Sequence, residues 1–334
     1  MLLLVKMNNF CLKNAESRFQ TIKNYMFFQK ILRGPLFIFC VLFFSKIAQS
    51  QTVIPLYEGA MPNVKQGFVP SETTEKTEQH AKYGFLVKDI SVPTLTLFKP
   101  TKPNGKALII CPGGGYAVNS FENEGTKAAT YFAEKGWACF VLKYRMPNPD
   151  FVDNVESAAL LDAQQALRLV RQKAKDLQID PHKVGIMGFS AGGHLAAMAA
   201  ALPPLSKNDT ASIRPFFTAL IYPVITFQTL DSTAKRDAWI EKLLGKTPSQ
   251  DKLDRYSAEK QVTSQYPPTF IVHASDDPSV KVQHSILMYE ACINHKVPVE
   301  MHIYEGGRHA FGIKNPTTSD VWMERFENWL LNKK

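Results

Sequence analysis

The sequence Gly188-Phe189-Ser190-Ala191-Gly192 decides the fold, because it joins an apolar strand to a helix through a turn too tight for large side chains. Residues 184–187 before it are apolar or glycine, and residues 193–197 after it have mostly small side chains. In this context G-x-S-x-G predicts a serine held clear of the backbone, with the N-terminus of the helix directed at it. A serine that only caps the helix would explain the hydroxyl but not the two flanking glycines. We therefore predict that Ser190 is a nucleophile.

A serine nucleophile needs a base that takes its proton and an acid that orients the base. The acid is predicted in the segment 268–280, where an apolar strand runs into a polar turn. Acids at the carboxyl end of a strand lie on the ligand-binding edge of a parallel sheet. Asp276 and Asp277 compete for this role, and we favour Asp277 because it begins the D-x-x-V pattern usual around such an acid. The other aspartate is then a turn residue that caps its own backbone.

The base is predicted to be His309, which follows the last predicted strand. Alternation marks residues 299–304 as that strand, and Gly306 and Gly307 then open a loop that carries His309 toward the serine. The order Ser, Asp, His along the chain is one in which catalytic triads occur. The histidines that we expect to be structural are His194, His273 and His302.

An oxyanion hole is predicted in the loop after the apolar strand at residues 108–111, where a proline is followed by three glycines and Tyr116. Consecutive glycines let backbone N–H groups converge on an anion without interference from side chains. We predict that the donors are the N–H groups of Gly114, Gly115 and Ala191, the last being the residue after the serine. A plain glycine turn is the alternative. Tyr116 is predicted to contact the substrate.

The first 50 residues are predicted to be absent from the mature protein. Residues 26–33 are basic, residues 35–44 form a ten-residue apolar core, and Ala48-Gln49-Ser50 has the small-x-small pattern of a cleavage site. The core is too short for a transmembrane helix, which needs about 20 residues. We therefore expect an upstream extension, a signal peptide at 26–50 and a mature chain beginning near Gln51. The protein is expected to be secreted or periplasmic, with no integral membrane span.

The charge and the cysteines of the mature chain exclude several functions. Seven of the 39 Lys and Arg residues and one of the 30 Asp and Glu residues precede Gln51, so the net charge falls from +9 to about +3. This balance argues against nucleic acid or anionic membranes as partners. The sequence lacks C-x-x-C, H-E-x-x-H and the glycine patterns of nucleotide-binding loops, so we expect no cofactor and no metal. Cys111 and Cys139 lie in apolar runs and are expected to be buried hydrophobes.

Strands and helices alternate from residue 85 onward, which predicts a mostly parallel twisted sheet covered by helices on both faces. We divide the mature chain into a polar, irregular N-terminal arm at 51–84 and an α/β catalytic domain at 85–334. A weakly patterned insertion at 224–267, with a short helix at 238–245, is predicted to be a small lid or rim. The predicted strands are 90–98, 107–111, 138–144, 184–188, 219–222, 269–273 and 299–304. The predicted helices are 125–135, 157–174, 191–201 and 318–332.

The motifs of this chain resemble those of the secreted bacterial esterase branch of the α/β-hydrolases, which includes acetylxylan esterases and related carbohydrate esterases. The residues that carry the resemblance are Pro112-Gly113-Gly114-Gly115-Tyr116, Tyr144-Arg145, Asp180-Pro181, Gly188–His194, Pro267-Pro268-Thr269 leading to Asp277, and Gly307-Arg308-His309. The resemblance spans roughly residues 85–332. The glycine loop is similar to the H-G-G-G loop of lipases and esterases, with Pro112 in place of histidine. Lys281 stands where a proline is common, which leaves the turn at the acid less rigid and keeps Asp276 open.

The resemblance implies an α/β-hydrolase fold and a metal-independent carboxylesterase that removes O-acetyl groups from a polysaccharide such as acetylated xylan. It further implies that Ser190, Asp277 and His309 form the triad and that the enzyme works in the periplasm or outside the cell. A peptidase, arylformamidase or acylamidase that uses the same triad is the first alternative. A non-catalytic carbohydrate-binding protein on the same fold is the second, and the intact set of triad residues argues against it.

Overall fold

The computed structural model describes residues 51–76, 84–205, 213–230, 238–331 and 333. The extension and signal peptide predicted within 1–50 lie outside these residues. The strands are β1 (Gln51–Pro55), β2 (Thr73–Glu75), β3 (Leu86–Lys88), β4 (Thr94–Phe98), β5 (Ala107–Cys111), β6 (Val118–Asn119), β7 (Ala138–Lys143), β8 (Val184–Phe189), β9 (Thr218–Ile221), β10 (Thr269–Ala274) and β11 (Val299–Tyr304). The α-helices are α1 (Lys127–Glu134), α2 (Val155–Gln172), α3 (Ala191–Ala201), α4 (Ala238–Leu244), α5 (Gln250–Tyr256), α6 (Gln283–Asn294) and α7 (Trp322–Leu331).

Eight of the described strands form one sheet in the order β1-β4-β7-β5-β8-β9-β10-β11. The six strands from β7 to β11 in this order pair in parallel, whereas β4 and β1 extend one edge by antiparallel pairing. The strands β2, β3 and β6 form a separate small antiparallel sheet. The sheet is therefore mostly parallel, as the alternation of strands and helices predicts.

Side chains of β5 alternate between two hydrophobic cores. Leu108 and Ile110 pack in the core that contains α1 and α7, whereas Ile109 and Cys111 pack in the core that contains α2, α3 and α6. A strand that is covered on both faces needs an apolar side chain at every position, and all five residues of β5 are buried. Helices thus cover both faces of the sheet, and the short apolar run of β5 indicates this from the sequence.

The prediction of an irregular arm from Gln51 onward was wrong for two stretches. Residues 51–55 pair antiparallel with β4 as an edge strand of the main sheet, and residues 73–75 pair with β3. An edge strand is held to its single neighbour by backbone hydrogen bonds. It needs no continuous apolar run where its side chains face solvent. Four of the five residues of β1 are exposed, which explains why hydrophobic patterning did not reveal it.

The predicted strand at 90–98 is shorter in the structure, where β4 begins at Thr94. Pro93 has no N–H to donate to a strand ladder, and Asp89 has a φ of 51°, so the chain turns between β3 and β4.

The predicted helix at 125–135 is divided in the structure. A single π-helical stretch at Phe121–Thr126 precedes α1.

The helix predicted at 157–174 begins two residues earlier, at Val155. The side chain of Asn154 accepts a hydrogen bond from the N–H of Ser157, which is the usual arrangement of an N-cap. The helix predicted at 318–332 begins later, at Trp322. The bounds predicted for β5, β11 and α3 agree with the structure.

The chain passes from β5 to β7 on one side and then returns to β8 on the other side of β5. Ligands of open α/β sheets bind outside the carboxyl ends of the strands at such a reversal. The loop after β5 and the turn after β8 both begin at this point. Within the described parts of the chain, no helix is long and apolar enough to cross a membrane.

Candidate active site

The turn after β8 holds Ser190 in a backbone conformation that non-glycine residues rarely adopt, with φ 51° and ψ −120°. Glycine is required on both sides of it. A Cβ atom on Gly188 would lie 2.0 Å from the carbonyl oxygen of Gly192, and a Cβ on Gly192 would lie 2.1 Å from that of Cys111. The turn that holds Ser190, here called the elbow, can therefore close on itself and approach the end of β5 only with glycines at these two positions.

The structure brings Ser190, His309 and Asp277 into one hydrogen-bonded chain. Nε2 of His309 lies 2.9 Å from Oγ of Ser190, and Nδ1 of His309 lies 2.6 Å from Oδ2 of Asp277. The competing residue Asp276 points elsewhere, because its Oδ1 accepts the N–H of Arg308 at 2.7 Å. Asp277 is thus the carboxylate that faces the imidazole, and Asp276 secures the loop that carries it.

The Asp277 carboxylate is held by two N–H groups of its own loop and by two histidines. Its Oδ1 accepts the N–H groups of Ser279 and Val280 at 2.8 and 2.9 Å, while Nε2 of His273 lies 3.3 Å from its Oδ2. Burial raises the pKa of Asp277, but the hydrogen bonds from His273 and His309 outweigh burial and hold that pKa well below its usual value. The carboxylate is therefore ionised at neutral pH and can keep a proton on Nδ1 of His309.

The glycine loop after β5 presents backbone N–H groups to the same cavity. Gly114 has a φ of 130° and Gly115 a φ of 61°, and a Cβ on Gly114 would lie 2.1 Å from a backbone oxygen. Within the described residues, the N–H groups of Gly114 and Gly115 have no protein acceptor, whereas Gly113 donates to Oε2 of Glu124 at 2.8 Å. Gly114, Gly115 and Ala191 line the cavity beside Ser190. We expect these N–H groups to be the ones that would receive an anion at Ser190.

The cavity above Ser190 has a volume of about 340 Å³. Its apolar wall is formed by Leu86, Val118, Val224, Trp239 and Val280. Val224 and Trp239 belong to the insertion predicted as a lid or rim, whose residues 231–237 lie outside the described part of the chain. A Cβ built on Gly115 would lie 3.9 Å from Cβ of Trp239, so this residue stands next to the glycine loop.

Tyr116 does not line this cavity, which corrects its predicted contact with substrate. Its side chain is 2% exposed, and its hydroxyl lies 2.7 Å from Nδ1 of His194. Nε2 of His194 lies 2.7 Å from the carbonyl oxygen of Tyr256. Burial lowers the pKa of His194 to about 4, so the ring is neutral, donates to Tyr256 and accepts from Tyr116. Tyr116 thereby anchors the glycine loop to α3, the helix that follows Ser190.

The other histidines named in the sequence analysis also have structural partners. His273 contacts Asp277 and lies 2.7 Å from Oγ of Ser285 through its Nδ1. Nε2 of His302 lies 2.8 Å from Oε1 of Glu300 on the outer strand. His273 therefore supports the acid, whereas His302 lies outside the cavity.

Sequence reasoning missed Glu124, whose buried carboxylate lines the cavity. The signal available was a glutamate followed by glycine shortly after the glycine loop. A Cβ on Gly125 would lie 2.7 Å from Cγ1 of Val141, so glycine there lets the π-helical stretch approach β7 and turns Glu124 inward.

In the described residues, no cluster of three or more His, Cys, Asp or Glu side chains is arranged to hold a metal ion. Cys111, Cys139 and Cys292 are buried free thiols.

The family model described as BD-FAE matches residues 95–292 of this chain. An acetylxylan esterase from Xylanibacter ruminicola is 32% identical over 269 residues, which are 79% of this chain and 53% of that protein. An endo-1,4-beta-xylanase B from Butyrivibrio fibrisolvens is 32% identical over 225 residues, which are 64% of this chain and 34% of that protein. The chain thus spans about half, or less, of the length of these curated relatives.

A solved structure, that of an acetyl ester-xyloside bifunctional hydrolase from Caldicellulosiruptor lactoaceticus, superposes with a TM-score of 0.68 at 32% identity. The match covers 84% of this chain and 95% of that chain. This likeness confirms the predicted α/β-hydrolase fold.

Proposed function

We propose that this chain, which belongs to the BD-FAE family of α/β-hydrolases, removes O-acetyl groups from xylan or a related polysaccharide. Its catalytic domain is that of a serine ester hydrolase. The observation that carries the proposal is the hydrogen-bonded chain from Ser190 through His309 to Asp277 at the base of a cavity with an apolar wall. The relatives whose names include acetylxylan or acetyl ester support the acetyl group as the one removed.

In the first half of the reaction, Nε2 of His309 takes the proton of Ser190 as Oγ attacks the acetyl carbonyl carbon. The carbonyl oxygen becomes an oxyanion, which accepts the N–H groups of Gly114, Gly115 and Ala191. Collapse of this intermediate breaks the ester bond, and the imidazolium gives its proton to the departing sugar oxygen. An acetyl group then remains on Ser190.

In the second half, His309 takes a proton from water, whose oxygen attacks the acetyl carbon. The same backbone donors stabilise the second oxyanion, and the proton returns to Oγ of Ser190 as acetate leaves. Asp277 stays ionised throughout and stabilises the imidazolium formed in each half. The cycle thus consumes one water for each acetyl group released.

The carbohydrate part of the proposal is supported by Trp239 and by the size of the cavity. The half-buried side chain of Trp239 lines the cavity beside the glycine loop, next to the place where the ester would react. Pyranose rings carry C–H groups on their faces, and binding sites commonly pair such apolar surfaces with a few polar groups. Because the proposed substrate is a polysaccharide found outside the cytoplasm, we propose that the enzyme acts in the periplasm or outside the cell.

The test is release of acetate from O-acetylated xylan by the purified protein, with Ser190→Ala as the matched control. We expect release by the wild type and a loss of at least about 1,000-fold in the variant, because the nucleophile is removed. Circular dichroism of both proteins checks that the variant is folded. A fluorophosphonate probe should label the wild type at Ser190 and leave the variant unlabelled.

Two further substrates separate the alternatives. Serine-dependent cleavage of 4-nitrophenyl acetate without release from xylan would retain the esterase and reject xylan as substrate. Faster cleavage of an anilide than of the matched ester would favour an amidase. If the Ser190→Ala variant released acetate at the wild-type rate, the assignment of Ser190 as the nucleophile would be wrong.

A further inference from the structure

The mechanism above leaves one buried ionisable group in the cavity without a role, the carboxylate of Glu124. Its side chain is 2% exposed, and both of its oxygens accept hydrogen bonds from the protein. Oε2 accepts the N–H of Gly113 at 2.8 Å, and Oε1 accepts the hydroxyl of Tyr222 at 2.9 Å. An acceptor role for both oxygens is the arrangement of an ionised carboxylate, since a protonated one would need an acceptor of its own.

Gly113 ties Glu124 to the glycine loop that presents the oxyanion donors. A Cβ on Gly113 would lie 2.7 Å from Oε2 of Glu124 and 2.9 Å from Cβ of Ser190. The carboxylate, the first glycine of the loop and the nucleophile are therefore in close contact. A displacement of Glu124 must move this loop relative to Ser190.

Tyr222 ties Glu124 to the loop that carries His309. Its hydroxyl accepts the N–H of Gly312 at 3.0 Å, and its ring meets those of His309 and Phe311 edge-on, with centroids 5.1 and 4.6 Å apart. The residue follows β9 with a φ of 37°, a conformation that a bulky side chain rarely adopts. Strain of this kind persists only where neighbouring contacts enforce it.

We propose that Glu124 is a positioning residue, which joins the glycine loop to the histidine loop and whose negative charge favours the imidazolium form of His309 during catalysis. The bridge runs from Gly113 through the carboxylate and the Tyr222 hydroxyl to Gly312. It sets the distance between the oxyanion donors and the base, two parts of the site that otherwise reach the cavity from different strands. The inference rests on the proposed esterase mechanism and adds a second carboxylate to it.

The charge of Glu124 faces a small set of titratable groups. Burial raises the pKa of Glu124 above its usual value, although His309, the Tyr222 hydroxyl and the N–H of Gly113 each act in the opposite direction. Among the described residues, the titratable groups around the bridge and the imidazole include Asp277, His273, Tyr144, Tyr222 and Cys111. Burial raises the pKa of both tyrosines and of the thiol, so these three stay neutral across the working range. Asp277 and Glu124 are then the two negative charges available to the imidazolium.

The experiment compares Glu124→Gln with Tyr222→Phe in the full chain. Glutamine has the size of glutamate, and its amide can accept from Gly113 and donate to the oxygen of Tyr222. It therefore removes the charge and keeps both contacts, with the direction of the hydrogen bond to Tyr222 reversed. Phenylalanine keeps the charge and removes the bridge. The assay is hydrolysis of 4-nitrophenyl acetate from about pH 4 to 10, with kcat referred to the concentration of sites labelled by a fluorophosphonate.

For Glu124→Gln we expect kcat to fall about 10- to 100-fold with little change in KM, and the acidic limb of the kcat/KM profile to move to lower pH. A nearby negative charge favours the imidazolium, so its removal lets His309 act as a base in more acidic solution. For Tyr222→Phe we expect a fall in kcat without that shift of the acidic limb.

A Glu124→Gln variant that labels like the wild type and keeps its kcat and acidic limb would overturn the proposal. An unchanged acidic limb combined with a lower melting temperature would reduce Glu124 to a structural residue and equally overturn it. If Glu124→Gln does not fold, Tyr222→Phe decides, because undiminished kcat in that variant rejects the bridge. Failure of the esterase proposal is separate, since it appears as a wild type that neither labels nor hydrolyses.

Discussion

Two histidines meet the same oxygen of Asp277. Nε2 of His273 lies 3.3 Å from Oδ2 of Asp277, and Nδ1 of His309 lies 2.6 Å from it. His273 is itself fixed, because its Nδ1 lies 2.7 Å from Oγ of Ser285 and its Nε2 lies 2.9 Å from the carbonyl oxygen of Val280. The carboxylate is therefore oriented from behind by residues of β10 and α6. Its direction is set by the fold before any substrate arrives, which is what preorganisation of a triad requires.

Replacement of Asp277 by asparagine should lower kcat by about 1,000- to 10,000-fold, because an amide no longer holds His309 in the tautomer that accepts from Ser190. The matched control is Asp276→Asn, whose Oδ1 still accepts the N–H of Arg308 and which should keep most of its activity. Steady-state hydrolysis of 4-nitrophenyl acetate measures both. Equal losses in the two variants would contradict the assignment of the acid.

The same carboxylate links stability to pH. The pKa of Asp277 is held below its ordinary value of 3.8, so the folded protein is stabilised above that value relative to a chain with a neutral side chain there. The stability is lost as the pH falls through the pKa of the folded state. We expect the difference in unfolding free energy between wild type and Asp277→Asn to be largest above about pH 5 and to shrink in more acidic solution. Urea titrations at several pH values measure it, and a difference that grows toward acid would contradict it.

Trp239 should matter for carbohydrate substrates and little for small ones. Burial of about 50 Å² of sugar face against the indole contributes about 1 kcal/mol, or roughly fivefold in affinity. We expect Trp239→Ala to raise KM for acetylated xylo-oligosaccharides by that factor and to leave KM for 4-nitrophenyl acetate nearly unchanged. Trp239→Phe, which keeps an aromatic face, should recover much of the loss. A parallel rise in both KM values would show that the indole only shapes the cavity.

Arg145 and Asp162 form a wholly buried ion pair, with Nη2 of the arginine 2.7 Å from Oδ1 of the aspartate. The hydroxyl of Tyr57 also donates to Asp162 at 2.9 Å, which fastens the segment after β1 to α2. Asp162→Ala should lower the unfolding free energy by about 3–5 kcal/mol, because it leaves the guanidinium buried without its partner. Tyr57→Phe removes one hydrogen bond and should lower it by about 1 kcal/mol. Urea unfolding measures both, and equal losses would contradict the ranking.

Gly192 should not tolerate even alanine. A Cβ at this position would lie 2.1 Å from the carbonyl oxygen of Cys111 and 2.4 Å from that of Pro112, both rigid backbone atoms. We expect Gly192→Ala to lower the melting temperature and abolish fluorophosphonate labelling, because the elbow must move away from β5. Gly59→Ala is the control, since a Cβ there has no neighbour within 4 Å. Wild-type labelling of Gly192→Ala would contradict the steric argument.

Local patterns accounted for the elements nearest the site. The apolar run of β5, the alternation of β11 and the small residues of α3 predicted bounds that agree with the structure. β5 and most of α3 are buried, whereas β11 is half-buried at the edge of the sheet. The edge strand β1 escaped prediction, since its exposed side chains leave no hydrophobic pattern. Residues 51–55, predicted as part of an arm, are tied into the sheet by backbone hydrogen bonds, which sequence patterns do not report.

By itself, the sequence determined the buried strands β5 and β8, the sharp turn at Ser190 and the glycine-rich loop after β5, because these depend on residues close together in the chain. Only the tertiary structure decided that Asp277 and not Asp276 faces His309, that the hydroxyl of Tyr116 turns inward, and that Glu124 meets Tyr222. The partners in these three contacts lie 32, 78 and 98 positions apart. Contacts over such separations are set by how the strands and loops pack, and no local pattern carries that information.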